Sequence, residues 1–167
     1  MSLIIDGSNG VTFPNGSNPQ AAPSKVLQVV SVTSTTLFST LSTSYVDVTN
    51  LSATITPLFS TSKILILWNV NGVNCAQGSN ATNEGSIQIT DGSNNLITGI
   101  MDSALQNYST NSFLNYAGSY LASPATTSAI TYKIRAKSTN ASYGISVMDY
   151  QNNAYNLSGL TLMEIAQ

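Results

Sequence analysis

Short runs of β-prone residues, each closed by a turn signal, recur along most of this chain. The clearest pair is residues 85–90, where apolar and polar residues alternate, and residues 95–100, which follow the turn signal Asp91-Gly92-Ser93-Asn94. Two β-prone runs joined by an Asp-Gly turn are typical of a β-hairpin. We therefore expect a hairpin here, in a fold built from antiparallel strands.

The same pattern extends over the body of the chain, from residue 25 onward. We predict strands at residues 26–32, 45–48, 51–56, 63–70, 85–90, 95–100, 113–122, 130–137, 143–148 and 157–165. Ser, Thr and Asn supply 62 of the 167 residues, and they are poor residues for helix interiors but suit sheets and turns. The sequence therefore predicts an all-β antiparallel sandwich of the jelly-roll kind.

The first 24 residues are organised differently. Two short β-prone runs, residues 3–5 and 11–13, are separated by turn residues and form a candidate hairpin within an N-terminal segment, residues 1–19. Residues 20–24 are small residues and proline without a period, which is typical of a linker to the domain at 25–167. A two-stranded unit is marginally stable alone, so its apolar residues require cover from another surface. We assign that attachment role to Leu3, Ile5, Val11 and Phe13.

The strand predicted at residues 63–70 carries five consecutive apolar residues, 64–68, and so presents apolar side chains on both faces. One face fits the core, while the other requires either a second part of the same chain or a subunit interface. We assign Ile64, Ile66 and Trp68 to an interface between copies of the chain.

Three of the five cations alternate with apolar residues at 130–137: Lys133, Arg135 and Lys137. One interpretation is a solvated strand face or an edge protected from aggregation. The other is pairing with Asp47 or Glu164 of a neighbouring copy, although exposed pairs contribute little energy. On the second interpretation Lys133 and Arg135 belong to the predicted interface.

The charge pattern excludes several classes of partner. Asp, Glu, Lys and Arg make up 7% of the chain, the net charge is −2 and only five residues are basic. Nucleic-acid binding requires a basic stripe, which is lacking, so we expect no nucleic-acid partner. No apolar run approaches the roughly 18 residues of a membrane span, and the first ten residues lack the pattern of a signal peptide, so we expect no membrane insertion.

The chemistry available to a catalytic site is limited. The chain has no His and a single Cys, which excludes Ser-His-Asp and Cys-His sites and leaves almost no zinc ligands. Cys75 is most simply a small buried residue at a strand end. A carboxylate pair from Glu84, Asp91, Asp102 and Asp149 is the remaining option, but Asp91 fits a turn better. We expect no enzymatic activity, no catalytic residue, no cofactor and no single-chain metal site.

Tyrosines among Asn and Ser suggest a binding surface as an alternative to a purely structural role. The richest stretch is the loop at 149–156, where Tyr150, Asn152, Asn153 and Tyr155 are candidates for contact with a glycan or receptor. The simpler interpretation is that tyrosines of this chain pack in strands with their hydroxyls in water.

Several phrases of the sequence resemble fibre-like and virion structural proteins of phages, notably marine and cyanobacterial ones. They are IIDGSNGVTFPNGS at 4–17, VLQVV at 26–30, SYVDVT at 44–49, ITP at 55–57 with SKIL at 62–65, SPATTS at 123–128, YK at 132–133 and MEI at 163–165. The resemblance implies a phage particle protein, a homotrimer with a jelly-roll head similar to those of the C1q and tumour-necrosis-factor kind. It supplies no catalytic motif.

The expected function follows from this resemblance. The N-terminal segment would attach the trimer to other virion proteins of the tail or capsid. The head would be displayed on the virion and would contact the host surface. The virion itself would be assembled in the host cytoplasm. The chain is short and has no shaft, which leaves two alternatives: a decoration or cement protein that stabilises the capsid, and a carbohydrate-binding adhesin module that recognises a host glycan.

Overall fold

The fold is all-β throughout the part of the chain that the computed structural model describes, residues 4–6, 10–12, 25–75, 84–106, 113–148 and 157–167. Twelve strands follow one another there. They are β1 (Ile4–Asp6), β2 (Gly10–Thr12), β3 (Val26–Ser34), β4 (Phe38–Thr40), β5 (Val46–Ile55), β6 (Lys63–Cys75), β7 (Glu84–Asp91), β8 (Leu96–Gln106), β9 (Leu114–Ala122), β10 (Ile130–Ser138), β11 (Ile145–Val147) and β12 (Ser158–Ile165).

Two antiparallel sheets form a sandwich. One has the strand order β5-β10-β7-β8, and the other has the order β3-β12-β6, with β9 on the second edge of β6 and the short strands β11 and β4 following the end of β6. In these two sheets, β7 and β8 are neighbouring strands that follow each other in the chain and are joined by a hairpin. Most other pairs of neighbouring strands are distant in sequence. Eight main strands in two sheets with such crossovers are a jelly roll, so the predicted fold class is confirmed.

The core lies between the sheets and is filled by alternate residues of each strand. On β10 the inward residues are Tyr132, Ile134 and Ala136, as the alternation predicted, while the cations between them point outward. Fully buried aliphatic side chains from both sheets complete the core: Leu51, Ile55, Ile64, Ile66, Ile87, Ile89, Ile145, Leu160 and Leu162. Each such side chain contributes about 1.5–3 kcal/mol through the hydrophobic effect.

The strand β5 differs from the sequence prediction. We expected two strands separated by a turn at Thr49-Asn50, but residues 46–55 form a single strand. Asn50 has a φ of 63°, and the pairing with β10 skips from Ser52 opposite Lys133 to Asp47 opposite Arg135. The extra residues form a bulge, which keeps both halves of β5 paired to one partner.

The predicted hairpin at residues 85–100 is confirmed as β7 and β8. Asp91 closes it, because Oδ1 of its carboxylate accepts hydrogen bonds from the backbone N–H groups of Ser93 at 2.9 Å and Asn95 at 2.8 Å. Cys75 is buried at the end of β6, also as predicted. The three-residue strand β4 was not predicted, since it lies in a Ser/Thr-rich stretch and is defined by its pairing with β11.

The N-terminal strands β1 and β2 pair in an antiparallel register with Ile5 opposite Val11, which is the expected hairpin. Leu3, Phe13 and the linker at 20–24 lie outside the described residues, so the division into segment, linker and domain stays a prediction. In the described part of the chain no helix is long and apolar enough to cross a membrane.

Candidate functional site on the outer face of a sheet

The outer face is the side of β3, β12, β6 and β9 that points away from the core. Antiparallel pairing places residues of neighbouring strands directly opposite one another, so the outward residues form rows across the four strands. One row is wholly apolar: Val29 lies opposite Met163, Met163 opposite Leu65, and Leu65 opposite Leu121. Val29 is 55% exposed and Leu121 is 48% exposed.

The next two rows on one side of the apolar row contain mostly small, hydroxyl and amide residues. One consists of Ser31, Thr161, Leu67 and Ser119, and the other of Thr33, Gly159, Asn69 and Ala117. The hydroxyl oxygens of Ser31 and Thr161 are hydrogen-bonded at 2.8 Å. None of the twelve outward positions in the three rows is charged. Contiguous exposed apolar side chains without charge are typical of a protein–protein contact surface.

The structure corrects the interface assignment of Ile64 and Ile66. Both side chains are fully buried inside the single chain, because the even-numbered residues at this end of β6 point between the sheets. Trp68 has the same orientation, packs against the core and lies over Gly118 of β9. The outward apolar residues of β6 are instead Leu65 and Leu67.

Lys133 and Arg135 form their ion pairs within the chain. The Lys133 ammonium lies 2.9 Å from Oδ2 of Asp47, and Nε of Arg135 lies 2.7 Å from Oδ1 of the same residue. Burial acts to raise the pKa of Asp47, but the hydrogen bonds and charges of the two cations outweigh it, and the pKa lies below its ordinary value. Lys137 lies 5.0 Å from the centre of the Tyr45 ring. These contacts remove the reason for pairing the cations with a neighbour.

Glu164, the other carboxylate that we expected to pair with a neighbour, is fully buried. One oxygen accepts a hydrogen bond from Nε2 of Gln28 at 2.6 Å, and the other accepts from the backbone N–H groups of Leu58 at 2.8 Å and Phe59 at 3.3 Å. Burial acts to raise the pKa of Glu164, but these hydrogen bonds outweigh it and hold the pKa below its ordinary value. Glu164 thus fixes the β5–β6 loop, whose Leu58 and Phe59 side chains are exposed.

The remaining candidate residues fall into two groups. Asp91 has its carboxylate engaged in the β7–β8 turn, and among the described residues no three Asp, Glu or Cys side chains come together in an arrangement that could hold a metal ion. The side chains of Glu84, Asp102 and Asp149, and the loop with Tyr150, Asn152, Asn153 and Tyr155, lie outside the described residues.

No protein-family model and no curated protein sequence matches the chain. Solved structures with a similar arrangement include "Structure of infectious bursal disease virus Gt strain", at 10% identity and a TM-score of 0.41, with 84% of this chain and 37% of that chain covered. Another is "Crystal structure of infectious bursal disease virus VP2 subviral particle", at 11% identity and a TM-score of 0.39, with 84% and 38% covered. The chain therefore spans little more than a third of the length of these proteins.

Proposed function

We propose that this chain is a non-enzymatic structural protein of a phage particle, a short fibre-like protein that assembles as a homotrimer through its outer face. The phage assignment rests on the sequence resemblance, and the jelly-roll fold agrees with the head that this resemblance implies. The observation that carries the assembly proposal is the apolar row of Val29, Met163, Leu65 and Leu121. Two rows without a charged side chain follow it on one side, and Lys63 lies at its other side, opposite Ile165.

Copies of the same chain are the partner that the outer face fits best. The two rows that follow the apolar one offer hydroxyl, amide, aliphatic and glycine groups, and Lys63 lies on its other side. A partner rich in charge would therefore leave most of its charges without counterparts. Only 7% of the residues of this chain are charged, so a second copy fits as a partner that is poor in charge. Around a three-fold axis, three outer faces or their edges would cover one another and remove the exposed Val29 and Leu121 from water.

The N-terminal segment has a separate role in this proposal. A two-stranded unit such as β1 and β2 is marginally stable without further cover. We propose that residues 1–19 attach the trimer to other virion proteins, with Leu3, Ile5, Val11 and Phe13 as the contact residues. Attachment at the tail would make the protein a short fibre, and attachment at the capsid would make it a decoration or cement protein.

The mass of the full chain in solution tests the assembly. We expect light scattering on a sizing column to give about three times the 17.5 kDa of one chain. The substitution Leu67→Lys places one cation beside the apolar row at a position that is 37% exposed, so the single chain should still fold. In the trimer this ammonium would lose its water, and the variant should elute with the mass of a monomer.

Leu96→Lys is the matched control, because Leu96 is 63% exposed and lies on β8, in the other sheet. This variant should remain trimeric. A wild-type chain that is monomeric at micromolar concentration, or a Leu67→Lys variant that keeps the trimer mass, would refute assembly through the outer face. Electron microscopy of particles carrying a labelled chain then distinguishes tail from capsid.

A further inference from the structure

A cleft of about 390 Å³ is lined by residues of both sheets and lies on the side of β9 that faces away from the outer face. Four separate parts of the chain line it: the end of β7, the start of β8, the end of β9 with the loop that follows, and the first half of β10. Its volume lies within the range of small-molecule sites, and its lining combines apolar and polar groups, as such sites do.

Two tyrosines and a carboxylate converge in the cleft. Tyr132 has a buried side chain, and burial raises its pKa, with the charge of Asp91 and the nearby Tyr120 adding to the effect. Tyr120 contributes a ring that is 43% exposed. The cleft thus offers an accessible aromatic face beside buried and charged oxygen atoms.

Asp91 is held by three hydrogen bonds and keeps capacity to accept a further one. Its Oδ1 accepts from two backbone N–H groups, while its Oδ2 accepts from Nδ2 of Asn95 at 2.8 Å. An ionised carboxylate has about four acceptor positions, so these three bonds leave one for a hydroxyl group of a ligand.

The loop that forms the rim of the cleft has an unusual backbone. Ala125 lies in the left-handed region with a φ of 53°, between Pro124 and Thr126, which both line the cleft. A residue with a Cβ is strained in that region, and such strained conformations are enriched in ligand-binding segments. The Thr126 hydroxyl accepts a hydrogen bond from the Ser128 N–H at 3.0 Å, which holds the loop in this shape.

We propose that this cleft binds a neutral saccharide, as a single sugar ring or as the terminal ring of a glycan. The exposed ring of Tyr120 offers a flat apolar surface to the C–H side of a pyranose, and Ile97 and Ile130 extend that surface. Asp91 and the hydroxyls of the rim are suited to sugar hydroxyls, which both donate and accept. No Lys or Arg lines the cleft, which disfavours phosphate and sulfate groups.

The test uses the full chain and four probes, the methyl glycosides of glucose, galactose, mannose and N-acetylglucosamine. Titration followed by NMR should give saturable shifts at millimolar concentration for at least one of them, centred on residues of the cleft. Tyr120→Ala removes the stacking surface and should weaken binding at least about tenfold, which corresponds to 1.4 kcal/mol. Tyr120→Phe keeps the ring and should bind within about threefold of the wild type.

Leu37→Ala is the control, since Leu37 is an apolar side chain that is 58% exposed, lies between β3 and β4 and does not line the cleft. It should leave saccharide binding unchanged. The proposal is overturned if none of the four probes shifts a cleft resonance, or if Tyr120→Ala binds as tightly as the wild type. Loss of binding in Tyr155→Ala but not in Tyr120→Ala would also overturn it and would favour the loop at 149–156. The mass of each sample is measured in parallel, so that a loss of saccharide binding can be distinguished from a loss of the proposed trimer.

Discussion

A single buried carboxylate connects three parts of the chain at one end of the sandwich. Glu164 on β12 accepts hydrogen bonds from Gln28 on β3 and from the β5–β6 loop, while Gln28 also donates to the carbonyl oxygen of Thr56 at 2.6 Å. One interpretation of the sequence made Glu164 a partner for a cation of a neighbouring copy, which requires an exposed side chain. Leu160 and Leu162 point inward in the same alternation, and this pattern was the available signal that Glu164 is buried.

Replacing Glu164 should destabilise the protein in a manner that depends on pH. Hydrogen bonds to a charged group contribute about 1.5–3 kcal/mol, so Glu164→Gln should lower the free energy of unfolding by about 2 kcal/mol at pH 7. The pKa of Glu164 is lowered on folding from an ordinary value of 4.5. Its stabilisation is therefore complete above that value and is lost as the pH falls through the folded-state pKa. Urea unfolding from pH 7 to pH 3 should show the difference between wild type and variant shrinking.

Asp47→Asn serves as the control for the Glu164 experiment. Asp47 also has a lowered pKa, but its side chain is 52% exposed, and exposed ion pairs contribute at most about 1 kcal/mol. This variant should therefore lose less stability than Glu164→Gln at neutral pH. A Glu164→Gln variant as stable as the wild type at pH 7 would contradict the role given to the buried carboxylate.

At the scale of the strand, β6 was predicted in position but not in orientation. Five consecutive apolar residues contain no polar residue to mark the outward face, so alternation within the run is uninformative. The polar residues just outside the run, Lys63 and Asn69, share the odd positions of Leu65 and Leu67. Those flanking residues were the signal that the odd face points to solvent, and reading them would have placed Ile64 and Ile66 in the core.

The sequence of β5 predicted a turn where the structure has a bulge, because a turn and a bulge require similar residues. A residue in the left-handed region suits both, and Asn is among the few residues other than Gly that adopt it readily. What distinguishes them is the partner strand: β10 continues past Asn50 and pairs with both halves of β5. The pairing with β10 cannot be inferred from the residues of β5 alone.

Substitutions at Asn50 test the bulge. Asn50→Val places a β-branched residue at a φ of 63° and should lower the free energy of unfolding by about 1–2 kcal/mol. Asn50→Gly is the control, because glycine adopts this conformation without strain, and it should stay within about 0.5 kcal/mol of the wild type. Equal stability of the two variants in urea would argue against a left-handed residue at this position.

For the whole molecule, the sandwich could be predicted but its strand order could not. Local patterns revealed most strands, the β7–β8 hairpin and the inward residues of β10. The insertion of β12 between β3 and β6 joins segments that are far apart in the chain, and no local signal specifies it. The cleft was missed for the same reason, since its lining comes from four separate segments.

Deletion of residues 1–24 tests whether the N-terminal segment and the domain have separate roles. The domain has its own core between two sheets, so the truncated chain should fold and keep the trimer mass on a sizing column. It should no longer join the particle, as measured by co-sedimentation with particles that lack the protein. Dissociation of the truncated trimer into monomers would instead mean that the segment is required for trimerisation.

The two ends of the domain lie side by side, because the backbone N–H of Ala166 donates a hydrogen bond to the carbonyl oxygen of Lys25 at 2.8 Å. A unit whose first and last residues are neighbours can be inserted into a surface loop of another protein without stretching that loop. The same proximity permits circular permutation, with a short linker joining residues 25 and 166 and new termini opened in an exposed turn such as Gly92-Ser93. We therefore expect that residues 25–166 can be moved as one unit into a different carrier protein.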